Sequence, residues 1–364
     1  INFDLEKETF DFRPTDYPLL PENRDQFFAH SKKGRGAKVF LNTSSIVPLF
    51  EKTILDTFAH CTKLENSTKN REWYKKNIDS DYTGLFKRII NVFFIEDAEL
   101  VLNPDKTDKT QQDEIKKFIP LATNKKGKIK CSDLYKYFIN KKFFQSEAKG
   151  TQKFPNIAQV LINGQPIFEC FDGKYRESYI NILYHYYIKG YFIERGIDDK
   201  ICHICGEKKT ILKYGSPLPM NFYGTTNELY FHNQENKKSY QSFAICEPCT
   251  VSAFAGMIHT SNDFSDYLFR NRTLLIPQIK EETFDPHLYR SIINILKTNK
   301  GAYKNEINDF KRLIRKSRQK KLSLDLMFYQ ENNNEFNIYK YIYSIESDSL
   351  LKKLNMFTVA ADAF

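Results

Sequence analysis

The sequence predicts an α+β fold: helices with local antiparallel hairpins rather than crossover strands, an inserted four-cysteine module, and the start of a C-terminal helical region. Three observations predict it. Asn163-Gly164 sits between two apolar runs in AQVLINGQPIFECF (158–171), the strongest short hairpin signal. Leu322, Leu324, Leu326 and Phe328 keep a period of two in LSLDLMFYQ, and after the polar turn ENNNE the strand FNIYKYIYSI (336–345) returns. Between these hairpins lie segments with apolar residues at helical spacing.

The elements follow in order. Residues 1–40 mix turn signals (RPTDYP, 13–18) with a flexible basic loop, SKKGRGAK (31–38). A helix is expected from Thr43 or Ser44 as cap, with Pro48 in its first turn and LFEKTILDTF carrying its apolar face. TGLFKRIINVFF (83–94) is a second helix, and NPDKTDKTQQDEI (103–115) a polar loop leading into another. NKKGKIK (124–130) is a second basic loop, after which Ser132 and Asp133 cap a short helix over DLYKYFINKKFF. The Asn-Gly hairpin is followed by a densely aromatic helix, YRESYINILYHYYIKGYF (175–192). FDPHLYRSIINILKTN (284–299) and YKNEINDFKRLIRKSRQKK (303–321) are helices, the latter basic at its C-terminal end as the helix dipole favours. The organisation expected is a mixed α/β basic region at 1–150, a hairpin and aromatic helix at 151–200, the cysteine module at 201–262, and helices with a hairpin at 263–364 leading to a helical part.

Composition narrows the class of function. The chain of 364 residues is 41% apolar and 27% charged, a globular rather than disordered balance. A net charge of +10 favours a polyanionic partner. The longest apolar runs, such as IINVFFI (89–95), fall well short of the roughly 20 residues that span a bilayer. No signal peptide opens the chain, so the expected setting is soluble and cytoplasmic, with no membrane partner. An opening Ile1 in place of Met is what a piece of a longer protein would show. No P-loop, HExxH or GxSxG motif occurs.

Seven cysteines, an odd number, argue against a disulfide framework. Cys61, Cys131 and Cys170 stand among apolar neighbours as small buried hydrophobes. The other four form two C-x2-C pairs, Cys202 with Cys205 and Cys246 with Cys249, forty residues apart. Two such knuckles can close a tetrahedral thiolate shell around structural zinc, and Gly206 suits the tight turn after the first. A redox pair would explain one C-x2-C, not both; four incidental thiols are the blander alternative. His203 and His232 are bystanders on this reading, because four sulfurs already fill the shell.

At these residues a family resemblance enters. ICHICGEKK followed by MNFYGTTNELYFHNQENKKSYQSFAICEPCTVSAFAGM resembles the zinc-finger segment of the large subunit of type I-B CRISPR Cascade. The matching positions are Cys202, Cys205 and Gly206; Phe222, Tyr223, Thr225 and Asn227; Lys237 and Lys238; then Phe243, Ile245, Cys246, Cys249, Ala255 and Gly256. The hairpin at 322–345 is similar to a strand pair of the same family. The resemblance implies a non-catalytic subunit of a crRNA-guided complex. That subunit contacts the crRNA 5′ end and double-stranded target DNA, helps recognise the protospacer-adjacent motif and form the R-loop, and recruits a helicase–nuclease. Its implied partners also include the handle-binding, backbone and small subunits of Cascade. Guide pairing would read the sequence while protein reads a short motif and backbone shape.

Candidate nucleic-acid contacts are Lys32, Lys33, Arg35 and Lys38; Lys125, Lys126, Lys128 and Lys130; and Lys311, Arg315 and Arg318, each set being a solvated surface otherwise. Trp73, in NREWYKKN, is read as packing in or at the edge of the core, with base stacking as its alternative. Glu96, Asp97 and Glu99 read as a solvated acidic turn. The rival functions are a zinc-stapled HNH-type nuclease, suggested by His232 and Asn233 with His259 as a later histidine, and a generic zinc-bearing RNA-binding or transcription factor.

Overall fold

The computed structural model describes residues 1–11, 42–43, 50–97, 99–113, 158–215, 218, 238–263, 265–268, 271–279, 322–332 and 335–346. Its chain divides into two compact units, Ile1–Glu194 and Arg195–Phe364. Helices and local antiparallel hairpins make up both, the α+β class read from the sequence.

In the first unit, β1 (Asn2–Asp4) pairs antiparallel with β2 (Thr9–Asp11). β3 (Asn42–Thr43) and β6 (Ala158–Gln159) form a separate short pair. The Asn-Gly turn joins β7 (Leu161–Ile162) to β8 (Gln165–Pro166), and both turn residues take the positive φ that a two-residue hairpin demands: 50° for Asn163 and 79° for Gly164. β7 also lies parallel to β1, giving the order β2-β1-β7-β8. Asn side chains lock that junction: Asn2 Oδ1 accepts from the Gly164 amide at 2.7 Å and Asn163 Oδ1 from the Leu5 amide at 2.8 Å.

Three helices follow: α1 (Phe50–Asn66), α2 (Arg71–Asn77) and α3 (Ser80–Phe93). α3 buries Tyr82, Leu85, Phe86, Ile89, Ile90 and Phe93, a single stripe at helical spacing. Asp79 caps it by accepting from the Asp81 amide at 2.8 Å. Phe93 meets Phe3 at 5.0 Å between ring centroids, and Phe10 completes the cluster that seats the sheet on the helix. The chain then turns through β4 (Phe94–Asp97) and β5 (Glu99–Leu102).

The aromatic helix is one helical run in three pieces. α4 (Arg176–Tyr184) passes through a π turn at His185–Lys189 into α5 (Gly190–Arg195). Gly190 makes the π turn possible: a Cβ there would stand 2.9 Å from the His185 ring and 3.0 Å from its carbonyl oxygen.

The second unit opens with the hairpin β9 (Gly196–Ile201) and β10 (Lys208–Leu212). α6 (Glu247–Asp263) packs against β10 and a four-stranded antiparallel sheet. That sheet runs in order β11 (Ser265–Leu268), β12 (Asn271–Ile279), β13 (Leu322–Asn332), β14 (Glu335–Glu346). Leu274 and Tyr329 form its core, with Met257 of α6 against them.

Several expectations are corrected and others met. Thr43 pairs with Ala158 in a strand instead of capping a helix, whose described part starts at Phe50. The polar stretch after 103 leads into helical residues 109–113 as expected, by way of a 3-10 turn (Pro104–Lys106). β13 keeps its alternation and pairs without a break along β12, the extra residues at its irregularities with β14 belonging to β14, but both of its faces are covered and Asp325 therefore lies inside, 4% exposed. The acidic residues Glu96, Asp97 and Glu99 stand at the turn of the β4–β5 hairpin, where a turn was expected. The helices expected at 133–144, 284–299 and 303–321 lie outside the described residues.

Candidate metal centre

Ile201 ends β9, and the chain folds back on itself before Lys208 starts β10. That reversal carries the first cysteine pair. The Cys202 amide donates to Glu207 O and the Gly206 amide to Cys202 O, both at 2.9 Å. Gly206 has φ +75°, a left-handed conformation that a side chain at this position would strain.

The second pair arrives alongside. Cys246 bridges to Ile211 of β10, and the Leu212 amide donates to Ile245 O at 3.2 Å. Cys249 falls in the first turn of α6, which begins at Glu247. His203 stitches the two pairs: its amide donates to Ala244 O at 2.8 Å, and its Nδ1 accepts from the Ala244 amide at 3.2 Å. Its Nδ1 is thus committed to backbone, and the group of side chains placed to hold a metal consists of the four cysteines without it.

The four sulfurs all lie within 4.8 Å of one another. Cys205 Sγ and Cys246 Sγ are 3.8 Å apart. Four thiolates at about 2.3 Å from a central zinc would be spaced by about 3.8 Å, the edge of that tetrahedron. The donor set and its spacing therefore fit a metal ion of the zinc type. Cys202 and Cys246 are buried, Cys249 half-buried and Cys205 exposed.

The electrostatics favour thiolate at the first ligand. Burial would raise the Cys202 thiol, but amides of Cys205, Cys246 and Ile204 outweigh it and pull it down to about 6. Burial and the neighbouring sulfurs push Cys249 up to about 12 and also raise Cys246. A bound cation reverses that opposition, since a coordinating thiol gives up its proton. Away from the centre, Cys61 and Cys170 are buried thiols held at about 12 and about 11 chiefly by desolvation. Cys131 lies outside the described residues.

The proposed nucleic-acid contacts Lys32, Lys33, Arg35, Lys38, Lys125, Lys126, Lys128, Lys130, Lys311, Arg315 and Arg318 all lie outside the described residues, as do His232 and Asn233. Trp73 is half-buried in the first unit, its ring 4.6 Å from that of His185. His259 is half-buried on α6.

Sequence reasoning passed over two polar groups. His185 is buried in the π turn and its Nε2 meets Asn70 Oδ1 at 2.8 Å. A histidine five residues before a glycine in an aromatic helix was the available signal. Asp325 accepts from Tyr341 Oη at 2.6 Å, Ser344 N at 2.7 Å and Gln278 Nε2 at 2.9 Å. An acid set among the leucines of a mainly apolar run was the signal there.

Residues 199–345 match the family model described as CRISPR-associated protein TM1802 (cas_TM1802) central domain. The matched span contains both cysteine pairs, α6 and the four-stranded sheet up to Ile345. It supports a CRISPR-associated role. No curated protein and no solved structure matches the chain. No helix among the described residues is long and apolar enough to cross a membrane.

Proposed function

We propose that this chain is the large subunit of a type I-B crRNA-guided surveillance complex. The observation that carries the proposal is the convergence of Cys202, Cys205, Cys246 and Cys249 within a segment that matches a CRISPR-associated central domain. In this reading the four thiolates hold zinc. A closed four-sulfur shell offers no open position for water, so the ion supplies rigidity rather than chemistry. It pins the β9–β10 reversal to the start of α6.

The subunit works in the cytoplasm without catalysing a reaction. It contacts the crRNA 5′ end and the target duplex, reads the protospacer-adjacent motif, aids R-loop formation and recruits the helicase–nuclease. The handle-binding, backbone and small subunits are its neighbours. The net charge of +10 supports a polyanionic partner, through counterion release on binding phosphate.

Affinity purification of the chain from its native host, followed by sequencing of the bound RNA, tests this. The expected result is small RNAs sharing one repeat-derived 5′ handle, together with sister subunits. Absence of such RNA, or magnesium-dependent cleavage of a labelled duplex by the chain alone, overturns it.

A further inference from the structure

We propose that Cys205 and Cys246 close a disulfide under peroxide, and that this crosslink takes over from the metal ion as the staple of the module. The proposal takes from the reading above only the zinc and stands apart from the surveillance role.

The four sulfurs are not equivalent. Cys202 is fully buried, and its Sγ is capped by backbone: the Cys246 amide donates to it at 3.3 Å, and the amides of Cys205 and Ile204 bond it as well. Amide donors hold electron density on that sulfur and blunt its attack on an oxidant. Cys205 is the exposed member of the set. A coordinated thiol has already given up its proton. Oxidants act first on accessible thiolates, and a thiolate with a second cysteine beside it is poised to be resolved.

Cys246 is that second cysteine. Its Sγ lies 3.8 Å from Cys205 Sγ, so a bond of about 2.0 Å asks the pair to approach by about 1.8 Å. Cys246 is anchored by its bridge to Ile211 of β10, and Cys205, in the exposed reversal, makes the approach.

The chemistry runs in two steps. The Cys205 thiolate attacks a peroxide oxygen: an S–O bond forms, the O–O bond breaks, and hydroxide leaves and takes a proton from solvent. The Cys246 thiolate then attacks the Cys205 sulfur: the S–S bond forms, the S–O bond breaks, and hydroxide leaves again. The two thiolates are oxidised and the peroxide is reduced to water. Cys202 and Cys249 remain, too few to fill a tetrahedral shell. The new bond joins one cysteine pair to the other, across the gap that the ion would span. A disulfide inside either pair would instead let them part. The β9–β10 reversal therefore stays against the start of α6 after the ion is lost.

The test treats the purified, zinc-loaded chain with graded hydrogen peroxide. Native mass spectrometry reads the zinc, peptide mapping the crosslink, and limited proteolysis the β9–β10 hairpin. The expected result is Cys205–Cys246 as the first disulfide, with zinc lost in step with it. The hairpin should resist protease as in the untreated protein, whereas the chelated, unoxidised protein is cut. Failure of Cys205 to oxidise, or a first disulfide between any other two of the four cysteines, overturns the proposal. So does zinc retained by the crosslinked chain, or a crosslinked hairpin cut as readily as the chelated one. Any of these in a chain that held zinc beforehand removes only the crosslink. A chain purified without zinc removes the metal reading and the crosslink together.

Discussion

The backbone amide of Cys246 donates to Cys202 Sγ at 3.3 Å, so the two cysteine pairs recognise each other before any ion is considered. Cys202→Ser and Cys246→Ser should each abolish stoichiometric zinc, read by native mass spectrometry of the purified chain. Chelation of the parent should expose the β9–β10 hairpin to protease. Structural zinc sites carry apparent binding energies of about 10–16 kcal/mol in small peptides, so the loss should also lower the unfolding midpoint.

Acid should weaken the first unit through His185. Burial foremost, then the charges of His60 and Lys189, depresses its pKa from 6.5 to about 4. The unfolded chain therefore binds a proton over a range where the folded chain does not. The associated stability is complete above pH 6.5 and is lost as pH falls toward about 4. His185→Gln should flatten that slope between pH 6.5 and 5, followed by denaturant titration at each pH. Trp73, the sole tryptophan, lies 4.6 Å from His185 and supplies the fluorescence signal.

Gly190→Ala should destabilise the protein by about 1–3 kcal/mol, the usual cost of forcing an extra group into a filled site. The added carbon would meet both the ring and the carbonyl of His185. Thermal unfolding measures it, and a midpoint equal to the parent's would show that the π turn gives way without resistance.

Asp325→Ala should cost about 1–3 kcal/mol, because it strips partners from Tyr341, Ser344 and Gln278 together. Its hydrogen bond to Asp325, foremost, raises the Tyr341 hydroxyl to about 12. Ultraviolet titration should find one tyrosine returning toward the ordinary value of 10.0 in the Asp325→Ala protein.

Local chemistry made some of this fold legible. Asn163-Gly164 dictates its own turn, and two C-x2-C pairs announce a shared four-sulfur site whatever lies between them. Helix α3 was legible because six buried residues repeat at helical spacing. The parallel pairing of β1 with β7 was not, since two short strands far apart in sequence leave no periodic trace. The π turn escaped because its determinant is a missing Cβ at Gly190, not a pattern. Asp325 escaped because β13 is covered on both faces, and alternation alone assumes that one face meets water.

The β1–β7 pairing has a consequence for synthesis. Phe3 is registered against Ile162, so the sheet cannot close until the ribosome has made the distant partner. At about 5–20 residues per second, that leaves β1 with one open flank for roughly 8–30 s. During that interval the nascent chain presents a strand edge and the Phe3 ring, fully buried once folded, to whatever is nearby.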